Sequence, residues 1–114
     1  MKTDRKSKNG SNGSICPTIS EQMLLDAFLC EIVVIDVERR IVKANQAYCQ
    51  ARGVAHAQIL GSVVADDGST SALLKALDDP TETKLLYREN DDVVALSSIL
   101  ADGRIAGAME MRFH

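Results

Sequence analysis

Tryptophan is absent from this 114-residue chain, and aromatic residues make up only 4% of it. With 46% of residues hydrophobic, the core has to be aliphatic, built from Leu, Ile, Val, Ala and Met. No Cys-x-x-Cys pair exists. The three cysteines, Cys16, Cys30 and Cys49, are widely spaced, and only His56 and His114 could join them in a metal site. That argues against a structural zinc site and for free thiols in a reducing cytoplasm. No apolar run approaches the roughly 18 residues of a membrane span, and the basic start is not followed by the apolar segment of a secretory signal. No glycine-rich phosphate loop precedes a helix, and no serine nucleophile elbow is present.

What is present fits one domain. Lys2, Arg5, Lys6 and Lys8 crowd the start with Asp4 as their only acid, beside Asn-Gly-Ser-Asn-Gly-Ser. Residues 1–15 read as a disordered leader, with the folded domain at 16–114. Setting those five charges aside leaves nine basic and fifteen acidic residues, a net of −6. A phosphate backbone repels such a surface, so direct nucleic-acid binding is not expected.

Thr18-Ile19-Ser20-Glu21 fits a capping box, and Met23, Leu24, Ala27 and Phe28 follow at helical spacing, predicting an amphipathic helix to about Cys30. Ile32–Ile35 is a β-branched run typical of a buried strand, and Arg40–Lys43 its hairpin partner. Asn45 opens a second helix that Gly53 ends, a short turn runs from Ala55 to Leu60, and Ser69–Leu77 forms a third helix carrying Leu73, Leu74 and Leu77. Strands follow at Thr83–Arg88, Val93–Leu100 and Arg104–Phe113, the last two joined by Asp102-Gly103, a type I′ signal. The order gives an α+β fold with an antiparallel sheet and helices on one face.

The segment Leu24-Leu25-Asp26-Ala27-Phe28, Ile32-Val33-Val34-Ile35-Asp36 and Arg40-Ile41-Val42-Lys43-Ala44-Asn45 resembles the opening of a PAS domain. Ile59-Leu60-Gly61 is similar to that family's helix-ending Ile-Gly, and Asp102–Ala108 to its closing hairpin. The resemblance covers about residues 18–113 and looks most like PAS domains at the amino end of bacterial transcription regulators and sensor kinases. It implies a five-stranded sheet in order 2-1-5-4-3, cupped over small helices that enclose a ligand cavity, with an N-terminal amphipathic helix. Glu38-Arg39 stand where the family often has Gly, so a two-residue primed turn is not expected there. Residues between Gly61 and the third strand are few for the family.

Within that frame, turn geometry assigns faces. A two-residue turn at Asp102-Gly103 pairs Leu100 with Ile105, Ser98 with Gly107 and Leu96 with Met109, all pointing into the cup with Val94 and Met111. Arg104, Glu110 and Arg112 point to water. A turn at Asn90-Asp91 leaves Leu85 and Tyr87 inward and Lys84 and Arg88 outward. The expected ligand-binding set is Tyr48, Leu73, Leu74, Tyr87, Leu96, Ser98, Gly107 and Met109. For Ser98 and Tyr87, a buried hydrogen bond or the cup's rim is the competing structural role. Asn45 is expected to act structurally, as a helix cap. Outward-facing Val93, Ala95, Ile99, Ala106 and Ala108, joined by Val33 and Ile35 if Glu31 faces out, form an apolar patch. A homodimer is expected with Met23, Phe28, Val33, Ile35, Ala95, Ala106 and Ala108 at or near the interface.

Catalysis lacks a constellation. His56 reads as a solvated surface residue, and the pairs Asp66-Asp67, Asp78-Asp79 and Asp91-Asp92 lie at turns and helix ends where Asp serves the backbone. No cofactor is expected. The resemblance disfavours haem, since Ser69–Leu77 carries no axial His, and flavin, since no Asn-Cys-Arg motif is present. The expected role is a cytoplasmic sensory domain that binds an unknown small molecule and signals through dimerisation to an output domain outside this chain. The alternatives are a ligand-free dimerisation or protein-interaction module and, third, a redox sensor through Cys30 or Cys49.

Overall fold

The structure, a computed structural model, describes residues 17–65, 68, 70–78 and 84–114. The leader expected at 1–15, together with Asp66-Asp67, Ser69 and Asp79, lies outside the described residues. Nine elements follow in order: α1 Glu21–Asp26, β1 Glu31–Asp36, β2 Ile41–Ala44, α2 Gln46–Arg52, α3 His56–Ile59, α4 Ser71–Asp78, β3 Lys84–Glu89, β4 Asp92–Ala101 and β5 Arg104–Phe113. They form one antiparallel sheet in the order β2-β1-β5-β4-β3, the order the resemblance implies. Helices α2 and α4 pack on one face, and the core cluster lies between: Val33, Ile35, Leu96 and Ala108 from the sheet against Cys49, Leu73 and Leu74.

α1 is shorter than its apolar period suggested, and its cap is Ser20, not Thr18. Ser20 Oγ accepts from Met23 N at 3.1 Å. No residue of α1 is buried, so nothing on its apolar side extends it. The β1–β2 connection is wound around Asp36, whose carboxylate accepts from Glu38 N and Arg40 N while Arg39 takes φ 66°. This is an aspartate-organised turn, longer than a two-residue hairpin loop.

The β3–β4 hairpin keeps the register its turn dictates, from Glu89↔Asp92 through Tyr87↔Val94 to Lys84↔Ser97. The β4–β5 hairpin does not. Its turn is closed as expected, with Asp102 and Gly103 both at positive φ and Leu100 opposite Ile105. The next pair is Ile99↔Gly107, then Ser98↔Ala108 and Leu96↔Glu110. Ala106 is therefore the extra residue of a β-bulge, and it is exposed. One inserted residue turns every later β5 side chain to the opposite face.

The cause is visible at Gly107. A Cβ built there would sit 2.2 Å from the Ile35 carbonyl oxygen. Gly107 thus serves the close approach of β5 to β1, and its expected place in a ligand cup is corrected. Met109 also leaves the cup, lying opposite Ser97 and Val34 on the outer face. Ala108 moves the other way, fully buried in the core, and takes Ile35 and Val33 with it. Those three are accordingly removed from the expected dimer surface. Ala95 remains on the outer face opposite Met111 and Leu86. Met23 and Phe28 are exposed.

Candidate functional site

Asn45 shows how the local sequence builds the mouth of the cup. At the start of α2 its Oδ1 accepts from Tyr48 N at 3.0 Å, as a cap should. The same oxygen accepts from Ile32 N at 2.9 Å, and Nδ2 donates to the Cys30 and Leu25 carbonyls at 2.8 and 3.0 Å. One buried side chain therefore ties α1, the start of β1 and α2 together. Tyr48 packs against the core cluster, which includes α4's Leu73 and Leu74, and so does Tyr87 of β3. Leu96 and Ser98 are buried on that helix side of the sheet. Of the eight expected cup residues, Leu73, Leu74 and Leu96 belong to the buried cluster, Tyr48 and Tyr87 pack against it, and Ser98 is buried on the same side of the sheet.

The bulge brings in residues that the uninterrupted register assigned to water. Glu110 and Arg112 face the helix side, opposite Val33 and Glu31 of β1. Glu31 is only 5% exposed, against the outward position expected for it. A carboxylate tolerates that burial only when paired. Glu31 Oε1 accepts from Arg52 of α2 at 2.6 Å, and Oε2 contacts His114 Nε2. The His114 Nδ1 lies 3.0 Å from Asp92 Oδ1. Arg112 bridges Glu89, Glu110 and Asp92 at 2.7, 3.0 and 3.2 Å. Four carboxylates, Glu31, Glu89, Asp92 and Glu110, thus surround two guanidinium groups, so the cluster favours His114 in its charged form.

The titrations follow that imbalance. His114 is pushed up, chiefly by its hydrogen bond to Glu31 and then by Asp92. Asp92 is pulled below the usual carboxylate range by His114 and then Arg112, burial opposing. Burial works against the charge on Arg112, but Glu89, Asp92 and Glu110 together outweigh it and raise its pKa. The Arg52 guanidinium lies over the Tyr48 ring, 3.6 Å from its centroid. Burial raises the Tyr48 phenol, with Arg52 opposing and Glu110 and Glu31 adding to the rise. Tyr87 is raised by burial and then by Glu110 and Glu89. Both phenols therefore stay protonated and can donate as well as accept. Tyr48 and Tyr87, each half-buried, thus lie between the aliphatic cluster and the charged groups around Glu110.

A depression opens between α1, α2 and α3, about 450 Å³ in volume, lined by Gln22, Asp26, Gln46, Cys49, Gln50, Val54 and His56. His56 is half-buried there with its Nε2 shielded and unpartnered, which corrects its reading as a solvated surface residue. Asp26 is already engaged, accepting from Gln22 and from Gln46 N. Cys30 and Cys49 are buried, free thiols whose pKa values are raised, first by burial and for Cys49 also by Asp26. The thiolate is the reactive form, so this environment works against redox chemistry. Among the described residues no group of three metal-ligating side chains converges, and no helix is long and apolar enough to cross a membrane.

No family profile and no curated protein sequence matches the chain. Solved structures do. The PAS domain of an HTR-like protein from Haloarcula marismortui superposes with a TM-score of 0.55 at 19% identity, covering 80% of this chain and 85% of that one. The PAS domain of histidine kinase ThkA gives a TM-score of 0.60 at 15% identity, covering 75% of this chain and 98% of its own. The photoactive yellow protein domain of the sensor histidine kinase Ppr from Rhodospirillum centenum gives 0.61 at 10% identity, covering 83% and 94%. At these identities the likeness is one of fold.

Proposed function

We propose that this chain, a PAS fold by its strand order and its structural neighbours, is the signal-input domain of a bacterial regulatory protein and is not an enzyme. The observation that carries this reading is the presence of two half-buried tyrosines, Tyr48 and Tyr87, against the aliphatic cluster on the helix side of the sheet. Tyr48 and Tyr87 both feel the charge of Glu110 and pack against the cluster that holds Leu73, Leu74 and Leu96. Such a place recognises a small, largely apolar molecule with one or two hydrogen-bonding groups. No axial histidine stands on α4, whose sequence is Ser-Ala-Leu-Leu-Lys-Ala-Leu-Asp, so haem is not the proposed occupant, and neither is flavin.

Binding is read out, in this proposal, through a homodimer formed by the outer face of the sheet. Val34, Met109, Met111, Ala95 and Ile99 share that face on three adjacent strands, and half-exposed Met23 and Phe28 flank it in sequence ahead of β1. The output domain lies outside this chain, in the cytoplasm. Native mass spectrometry of the purified chain, paired with sedimentation, tests both halves. A retained molecule that Tyr87→Phe releases supports ligand sensing, whereas a ligand-free dimer points to a pure dimerisation module. A monomer at high concentration, unchanged by Ile99→Glu, removes the dimer.

A further inference from the structure

Helix α1 buries none of its own residues and is held against the start of α2 by polar contacts. Gln22 Nε2 donates to the Ala44 carbonyl and to Asp26 Oδ1, both at 3.0 Å, and Asp26 Oδ1 also accepts from Gln46 N at 2.7 Å. Leu25 O accepts from Asn45 Nδ2 at 3.0 Å. This polar docking leaves a space between the helices where apolar packing would draw them together. That space is the depression of about 450 Å³ between α1, α2 and α3, within the size range of small-molecule sites.

The hydrogen bonds decide what its walls still offer. Ala44 O and Asp26 Oδ1 are acceptors, so both amide hydrogens of Gln22 are spent on them and its carbonyl oxygen is left over. Asp26 Oδ2 has no hydrogen-bond or ion-pair partner among the described residues. Two acceptors, one of them charged, therefore stand on α1 with their side chains already fixed. Cys49 and Val54 give the lining its apolar part, and His56 stands on the α3 side with Nε2 lacking the hydrogen bond a shielded nitrogen wants. A carboxylate lines the depression and no lysine or arginine does, which disfavours an anion. Among the described residues no three ligating side chains converge, so the site does not fit a metal ion.

We propose that this depression binds a small aliphatic amine that carries a second hydrogen-bonding group at its far end. The ammonium donates to Asp26 Oδ2 and Gln22 Oε1, beside Gln46 at the start of α2. The methylene stem runs along α2 over Cys49 and Val54, and Gln50 and His56 meet the far group. Gln46 and Gln50 stand one turn apart, about 6 Å along the axis, a length that a four-carbon diamine spans. None of these residues belongs to the cup between sheet and helices, so the site stands whether or not a molecule binds there.

The test is an amide NMR titration of the whole chain with putrescine, a four-carbon diamine. Shifts gather at Gln22, Asp26, Gln46 and Gln50 and saturate with a dissociation constant of about a millimolar, the reach of so small a ligand. Succinate, a dianion of like length, does not compete. Asp26→Asn keeps the oxygen to which Gln22 and Gln46 donate but removes the charge, and weakens putrescine about tenfold. Gln50→Glu, an exposed change that keeps the test open should α1 loosen in the first variant, tightens putrescine severalfold and leaves butylamine, which lacks the second ammonium, unchanged. No saturation by about ten millimolar putrescine, shifts centred on Glu31, Glu110 and His114 instead, affinity that either substitution leaves unchanged, or equal binding of succinate would each overturn the proposal.

Discussion

The two hairpins that share β4 begin alike and end differently. Each is closed by a two-residue turn whose first residue, Asn90 or Asp102, takes positive φ. The β3–β4 ladder then runs to its end in the register the turn sets, because β3 is an edge strand with one neighbour to satisfy. The β5 strand has two neighbours. It must match β4 on one side and approach the Ile35 carbonyl on the other, and the bulge at Ala106 with Gly107 behind it is how both are met. A turn governs a central strand only as far as the first demand from its other neighbour.

The comparison breaks most sharply if residues 108 and 109 have exchanged faces. Ala108→Glu places an unpaired carboxylate in the core and should cost about 3–5 kcal/mol or prevent folding. The neighbouring Met109→Glu lies on the outer face and should cost about 1 kcal/mol or less. Urea melts of both variants decide it: equal losses, or the reverse order, restore the unbulged register.

Gly107→Ala probes the approach that creates the bulge. The added methyl meets a backbone oxygen at 2.2 Å, which only a strand shift relieves, so the loss should be about 2–3 kcal/mol. That corresponds to a fall in Tm of about 10–20 °C for a domain of this size. An unchanged Tm would mean that β1 and β5 are not so close.

The smallest effect belongs to the last residue of the same strand end. His114 has its pKa raised by Glu31 and Asp92, so its contribution is complete below its unfolded value of about 6.5 and is lost as pH rises through the folded value. The Tm difference between the natural chain and His114→Ala should therefore be largest near pH 6 and fade toward alkaline pH. A His114 imidazole that titrates by NMR at or below its unfolded value removes the contact.

Element identity was legible from local pattern. The β-branched run at Ile32–Ile35, the Asn45 cap and the Asp102-Gly103 turn each rest on chemistry within a few residues, and the faces of β3 and β4 followed from their turn. The charged cluster was not legible. Glu31, Glu110 and Arg112 look like water-facing charges under a strict alternation, and the only signal against it was Gly107 in an otherwise side-chain-bearing strand, a residue type that marks bulges and close backbone approach. Read as empty pocket space, it concealed the shift.

The strand order came from the resemblance to PAS domains, whereas composition, spacing and turn chemistry by themselves determined an aliphatic core and the succession of helices and strands. These are short-range properties, fixed by backbone preference and by which residues avoid water. Which face each β5 and β1 residue occupies was decided only in the assembled sheet. So was the gathering of Glu31, Arg52, Arg112 and His114 from β1, α2, β5 and the residue just past β5. The physical reason is that a one-residue insertion costs little locally yet inverts everything beyond it, and its position is set by contact with a strand some seventy residues earlier in the chain.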